Sequence, residues 1–496
     1  MNLIKKFNKL EKYTKYSIYT IFIFSMIILS LASIYHVSGD GCWHIPVGKF
    51  IASNIRFPLF EPLGRDEPFW SPPLYHIFVA VVYYVFNAFN NNIANSAVKF
   101  VSPAFGILSI IFSFLVIRKL VNSKIAFYSV LFLAFIPIFI DYSVISYTES
   151  TLSFFVILSV YYLINDKPVL SGIAAGLSVL AKYNGVFILP VLVYILHKKY
   201  GNKKLFYKNA FAVVAISLLI ASPWLIRNFI LLGNPIWPFL NLIFSGIEAK
   251  SYSSLDFSRM VHYNLVLFAY FGFFGIPDGN YSLLSFFDIH YFNLLLPIWL
   301  IGTLIFVMPL FIGFKTKKET GYLIVWVLSY LILFFLYVVN VGWAVSRMML
   351  PAFPAIAILW AFGFEKLQSK NFSKLVNVVF ILVVIGFVFT EFAKMGLAAD
   401  AWEFYSRDFD WVKTNTKSDA IFVANGQCIP YNIERTALYA NDESLGKAGF
   451  IWVNQNFALD KRSIFEEQLL KDVQAKNYNV IYSNKKTGTI IYSTKQ

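Results

Sequence analysis

The sequence predicts an α-helical polytopic membrane protein, with about eleven transmembrane helices and a small C-terminal extracytoplasmic α/β domain. Three observations lead there. The 496 residues are 58% hydrophobic and only 14% charged, more apolar material than one soluble core needs. Runs such as Tyr16 to Tyr35, Ile125 to Ile140 and Leu375 to Phe389 approach the roughly 20 apolar residues that cross a hydrocarbon core. After about residue 397 the composition becomes that of a soluble domain.

The net charge of +15 would suggest nucleic acid in a soluble protein. Here the cations fall in short clusters between apolar runs, so no nucleic-acid partner is expected and the membrane lipid itself is the surrounding phase. Lys5, Lys6, Lys9, Lys12 and Lys15 precede the first run, and Lys198, Lys199, Lys203, Lys204 and Lys208 form an acid-free cluster. Both belong on the cytoplasmic side by charge bias, in a plasma (inner) membrane. Cys42 and Cys428 lie far apart and match no metal-ligand spacing; a disulfide between them is not expected.

With the N-terminus inside, a first span near 17–36 leads to an outer loop of about 37–72. Segment 74–89 is short, follows Pro72-Pro73, and is predicted to lie in the interface or re-enter, because a full crossing would place Arg118, Lys119 and Lys124 outside. Spans follow near 97–117, 125–141, 149–164, 169–181, 184–197 and 209–230, with a short outer loop at 141–149. A long outer loop, about 231–288, precedes spans near 289–314, 321–340, 344–363 and 374–393. Residues 1–396 thus form a transmembrane domain and 397–496 an extracytoplasmic one, with helices at 402–415 and 464–473, a strand at 420–424, and a β pair at 479–483 and 489–493.

An unpaired ionisable group in hydrocarbon costs several kcal/mol, so the placement of charge is informative. The acids Asp40, Glu61, Asp66, Glu67, Asp141 and Glu149 fall in outer loops, and Arg65, Lys182, Arg227 and Arg347 in an outer loop or at outer span ends. Carboxylates that take an acceptor's proton or hold a metal, beside cations that stabilise a departing phosphate, suit transfer of a group from a lipid phosphate. Asp40 stands between two glycines with His44 at i+4; it could instead cap the following helix, with His44 packed beside it, and a divalent cation on the pair is a further option. Trp70 and Tyr75 could stack on a sugar or anchor the interface, and Lys182 and Arg227 could simply snorkel.

Several segments together resemble the GT-C superfamily of polyprenyl-phosphate-sugar glycosyltransferases, particularly the branch of protein O-mannosyltransferases and the lipid A aminoarabinose transferase. They are Asp40 after the first span, Trp70-Ser-Pro-Pro-Leu-Tyr75, Ala181-Lys-Tyr-Asn-Gly185, Pro223-Trp-Leu-Ile-Arg-Asn228 with Gly233-Asn-Pro-Ile-Trp-Pro238, and Arg347-Met-Met-Leu-Pro-Ala-Phe-Pro354. The resemblance implies a catalytic carboxylate at Asp40, a second acid at Glu149, and Lys182, Arg227 and Arg347 on the carrier phosphate. His44, Arg65, Asp66, Glu67, Trp70, Tyr75 and Tyr183 are the remaining expected substrate contacts. It also implies a polyprenyl-phosphate-linked sugar as donor and a glycan, lipid or protein as acceptor. Relatives often carry Asp-Glu where this chain has Asp40-Gly41, and Asp where it has Glu149. No cofactor is therefore fixed, and a divalent cation remains an option. A lipid or sugar transporter is the alternative, but the charges sit at span ends rather than at the midplane.

Overall fold

The computed structural model describes residues 7–64, 67–247, 274, 290–316, 321–341, 346–368, 373–426, 428–459 and 463–494. Arg65 and Asp66, together with the long-loop residues Asp256, Arg259, His262, Asp278 and Asp288, lie outside the described residues.

Each predicted span is helical, but length limits how many cross unaided. Among the described residues six helices are long and apolar enough to do so: Lys12–Ile34, Asn91–Leu120, Lys204–Leu232, Gly321–Val339, Ser346–Gln368 and Ser373–Glu403. The pair Ser123–Phe135 and Pro137–Val144, bent by 65°, adds a seventh if it counts as one span. The expected eleven is therefore reduced to six or seven by length and composition. Glu149–Ile164 and Pro168–Ala181 have 16 and 14 residues, so they rise only about 20 to 25 Å against a core of about 30 Å. Helix Leu74–Asn87, also 14 residues, is equally short and packs on helix Gly41–Asn54.

The helices share one core, threaded by aromatic rings. Trp360 lies 4.4 Å from Phe364 of its own helix and 5.9 Å from Phe306, both stacked on it, which joins helices Phe353–Gln368 and His290–Thr316.

The last long helix, Ser373–Glu403, runs without a break past the expected boundary at 396/397. Beyond it lie helix Ser406–Asn415 and a five-stranded mixed sheet, ordered β2-β1-β3-β5-β4. The strands are β1 (Ile421–Val423), β2 (Thr436–Leu438), β3 (Phe450–Asn454), β4 (Asn479–Asn484) and β5 (Thr489–Ser493). β1 pairs in parallel with β2 and β3; β5 pairs antiparallel with β3 and β4. Alternation along the strands separates two cores. Val423, Ile451, Val453 and Ile490 face helix Ile464–Ala475, while Phe422, Trp452 and Ile491 join Phe409 and Val412 of helix Ser406–Asn415. The fully buried Asp408 is paired as burial demands, its carboxylate accepting from Tyr482, Asn484 and Thr489 at 2.5, 2.7 and 2.7 Å.

Against expectation, Cys42 and Cys428 are joined by a disulfide across 386 residues of sequence. Spacing in the chain carried no sign of it, because the partners meet only once the sheet region docks beside the start of helix Gly41–Asn54.

Glu466, in the first turn of helix Ile464–Ala475, accepts the Asn454 amide at 3.0 Å, and burial pushes its carboxyl up to about 7. A carboxyl whose pKa is raised on folding holds its proton more tightly in the native state, so it favours folding at pH 5 and that contribution is lost as pH rises through 7. Glu466→Gln should therefore leave thermal stability at pH 5 nearly unchanged and raise it at pH 8, by up to about 3 kcal/mol, removing part of the pH dependence seen in paired melts.

Candidate active site

The first helix ends at Ile34, and the chain turns through Ser38, Gly39 and Asp40 into helix Gly41–Asn54. Gly39 has φ of +53°, and a Cβ there would collide with the Tyr147 hydroxyl, so both conformation and space call for glycine. The Asp40 amide donates to the same Tyr147 oxygen at 2.9 Å. Asp40 stands at the N-terminus of the helix, yet its side chain makes no capping hydrogen bond. Its carboxylate reaches Arg347 instead, with Oδ2 2.9 Å from Nη1.

Arg347 comes from the 3-10 turn Ser346–Ala352, between helices Gly321–Val341 and Phe353–Gln368. The guanidinium carbon lies 5.0 Å from the centre of the Tyr147 ring, a cation–π contact, and Nε is 3.4 Å from Glu149 Oε1. Glu149 opens helix Glu149–Ile164, where the N-terminal dipole favours an acid, and its side chain is only 2% exposed. The same Oε1 lies 2.5 Å from Lys182 Nζ. Lys182 is in extended conformation just past helix Pro168–Ala181, and the chain then doubles back as the 3-10 turn Tyr183–Ile188. That reversal presses Gly185 onto the Ser178 backbone, where a Cβ would not fit. Asn184 then donates to the sulfur of Met348, tying the lysine's turn to the arginine's.

Asp40, Arg347, Glu149 and Lys182 therefore form an unbroken row of alternating charge, drawn from four parts of the chain. The acids differ in access. Glu149 lies between two cations and is closed off, whereas the Asp40 side chain is 38% exposed and can meet a substrate.

The other expected residues divide. The Trp70 and Tyr183 rings stack at 6.3 Å, and the Trp70 carbonyl accepts from Tyr183, Trp224 and Asn228. Arg227 is not in the row. Its Nη1 donates to the Phe69 carbonyl at 2.9 Å, its Nη2 to the Pro58 carbonyl at 3.0 Å, and its guanidinium stacks on Trp224 at 4.4 Å. It holds the first outer loop in place. Tyr75 is fully buried beside Ser102, so its ring cannot face a sugar. The His44 ring pairs with the buried His76 at 2.9 Å. Burial, with His44 beside it, holds His76 well below the usual histidine range, so it is neutral at pH 7. Glu67 has its backbone carbonyl on the Glu61 amide, and the residue is exposed. Among the described residues no three His, Cys, Asp or Glu side chains gather as metal ligands. Both acids of the row instead have cations against them.

Two participants escaped the sequence reading. Tyr147 supports both Asp40 and Arg347, and His76 orients His44. Tyr147 lies only two residues before Glu149, a proximity that could have drawn attention to it.

The sequence profile described as dolichyl-phosphate-mannose-protein mannosyltransferase matches residues 70–226. That segment contains Glu149 and Lys182, with Asp40 and Arg347 outside it. The whole fold is similar to ArnT from Cupriavidus metallidurans in the apo state, with a TM-score of 0.63, 11% identity, and coverage of 98% of each chain. It is similar to the same protein bound to undecaprenyl phosphate, at 0.61 and 11% identity over 96% of this chain and 97% of that one. The Archaeoglobus fulgidus oligosaccharyltransferase tethered to an acceptor peptide matches at 0.55 and 13% identity, over 98% of this chain and 74% of that one. No curated protein sequence matches significantly. The fold is thus that of a multi-pass membrane protein similar to ArnT, and residues 70–226 are similar to the mannosyltransferase profile.

Because Arg227 satisfies two loop carbonyls, Arg227→Ala should cost about 2 kcal/mol locally. Limited proteolysis within residues 57–70 should then quicken about tenfold or more. An unchanged cleavage rate would show that the loop is held elsewhere.

Proposed function

We propose that this chain transfers a sugar from a polyprenyl-phosphate carrier to an acceptor hydroxyl or amine on the extracytoplasmic side of its membrane, by a single inverting displacement. The observation that carries the reading is the row Asp40–Arg347–Glu149–Lys182, in which one accessible carboxylate stands beside two cations (Asp40–Arg347 2.9 Å, Lys182–Glu149 2.5 Å). Asp40 takes the acceptor's proton as the acceptor oxygen or nitrogen bonds to the anomeric carbon. The bond from that carbon to the phosphate oxygen breaks on the opposite face, and the carrier leaves as a lipid phosphate. Negative charge grows on the departing phosphate, where Arg347 and Lys182 stabilise it. Arg347 has five N–H donors and contacts the two carboxylates through Nη1 and Nε, leaving donors for a phosphate. Glu149 offsets the two cations and sets their direction, and the Trp70–Tyr183 pair forms an aromatic wall near Lys182.

Two relatives of the same fold lend support: ArnT is bound to undecaprenyl phosphate, and the Archaeoglobus fulgidus enzyme AglB to a dolichol-phosphate with an inhibitory peptide. The outward orientation is supported by the lysine clusters and by the Cys42–Cys428 bridge two residues from Asp40, since disulfides persist in oxidising compartments.

Asp40→Asn should lower turnover of a labelled polyprenyl-phosphate sugar by at least about a hundredfold while binding of unglycosylated carrier phosphate survives; near-normal turnover would remove Asp40 from the role of base. Arg347→Ala should chiefly raise KM for the donor, and a variant with unaltered donor KM would place the phosphate elsewhere.

A further inference from the structure

The segment around Asp40 has little stiffness of its own. It lies between a glycine in left-handed conformation and a second glycine, and the Asp40 carboxylate is not engaged as a helix cap. The base in the proposed reaction needs a fixed direction, because misplacement by about 1 Å can cost a hundredfold in rate.

Tyr147 and Arg347 hold Asp40 itself, and the C-terminal region grips the segment on both sides of it. Four residues before Asp40, His36 Nε2 lies 3.1 Å from Asn432 Oδ1, and the His36 ring stacks on Trp402 at 5.5 Å and 17°. Two residues after it, Cys42 is bonded to Cys428. Cys428 immediately precedes, and Asn432 belongs to, one short helix, Ile429–Ile433. Tyr431 of that helix lies 5.6 Å from the ammonium of Lys49, one further turn or two along helix Gly41–Asn54. Alongside, the Ala437 amide of β2 donates to the Leu63 carbonyl of the first outer loop at 3.1 Å.

We infer that the C-terminal region is a clamp on the reaction centre, and that Cys42 and Cys428 are positioning residues which fix Asp40 through a single covalent tie from helix Ile429–Ile433. This rests on the reading of Asp40 as base. The disulfide touches no reacting atom. Its part is to keep the turn from Val37 to Cys42 in the one arrangement that presents the Asp40 carboxylate to the acceptor. The carrier's phosphate is held by Lys182 and Arg347 on other elements, so loss of the tie should spare carrier binding and impair the chemical step.

The test compares the full-length protein with its Cys42→Ser/Cys428→Ser variant in the same detergent, measuring kcat and KM for a labelled polyprenyl-phosphate sugar and the affinity for unglycosylated polyprenyl phosphate. We expect kcat to fall about tenfold or more, with KM and carrier affinity within about threefold of the parent. If the double variant does not purify as a folded protein, the parent is reduced with a phosphine, thiol release confirmed, and turnover followed before and after reoxidation; turnover should fall and then return while carrier affinity holds. Full turnover without the disulfide would overturn the inference. So would joint loss of turnover and carrier affinity, which would make the bridge a general staple of the fold. An Asp40→Asn variant run in parallel separates the two readings. If it is inactive while the disulfide-free protein is fully active, only the clamp fails; if it is active, the assignment of the base fails first.

Discussion

Burying charge is tolerable only when each charge has a partner, and the row from Asp40 to Lys182 meets that demand with contributions from four separate parts of the chain. Glu149 sets the requirement. A carboxylate 2% exposed at the head of an apolar helix would be unsupportable alone, so Arg347 and Lys182 must both arrive. Their arrival fixes the turn at Lys182, the 3-10 segment before helix Phe353–Gln368, and the loop that carries Tyr147. Asp40 is the end of the row that stays open, its side chain 38% exposed against 2% for Glu149.

A similar economy governs the second buried cluster. Lys394 on helix Ser373–Glu403 lies 2.6 Å from both Asp141 and Glu391. It joins the last long helix to Pro137–Val144, the short bent helix that leads to Tyr147 and Glu149. The two clusters thus brace the same loop from opposite ends.

Much of this was legible in the sequence. Apolar runs and lysine clusters located the long apolar helices, and alternation in the tail located β4, β5 and the helix between β3 and β4, because these signals depend only on neighbours in the chain; short helices such as Asn91–Ala97 and Ile429–Ile433 gave no such signal. The short strands β1 and β2 are set by pairing instead, with three residues each, so β1 was drawn too long and β2 went unseen, as did the five-residue β3. Hydropathy gave eleven spans where length and composition mark six or seven among the described residues, because hydropathy counts apolar runs without asking whether a helix of 14 residues reaches across. In the site, isolated charges at helix ends led correctly to Asp40, Glu149, Lys182 and Arg347 as neighbours. The same rule failed for Arg227, where backbone carbonyls rather than a carboxylate answer the charge, and for Tyr75, since a ring that could stack on a sugar serves equally well in a core. The Cys42–Cys428 pairing follows from docking alone.

β2 lies at the margin of the sheet, and its outward hydrogen-bonding side is met by Leu63 of the first outer loop. A margin of that kind, left bare, is a template on which other chains can add. Since the cover belongs to the membrane part of the molecule, the tail cut free of it would carry an unguarded strand on which further copies could pair.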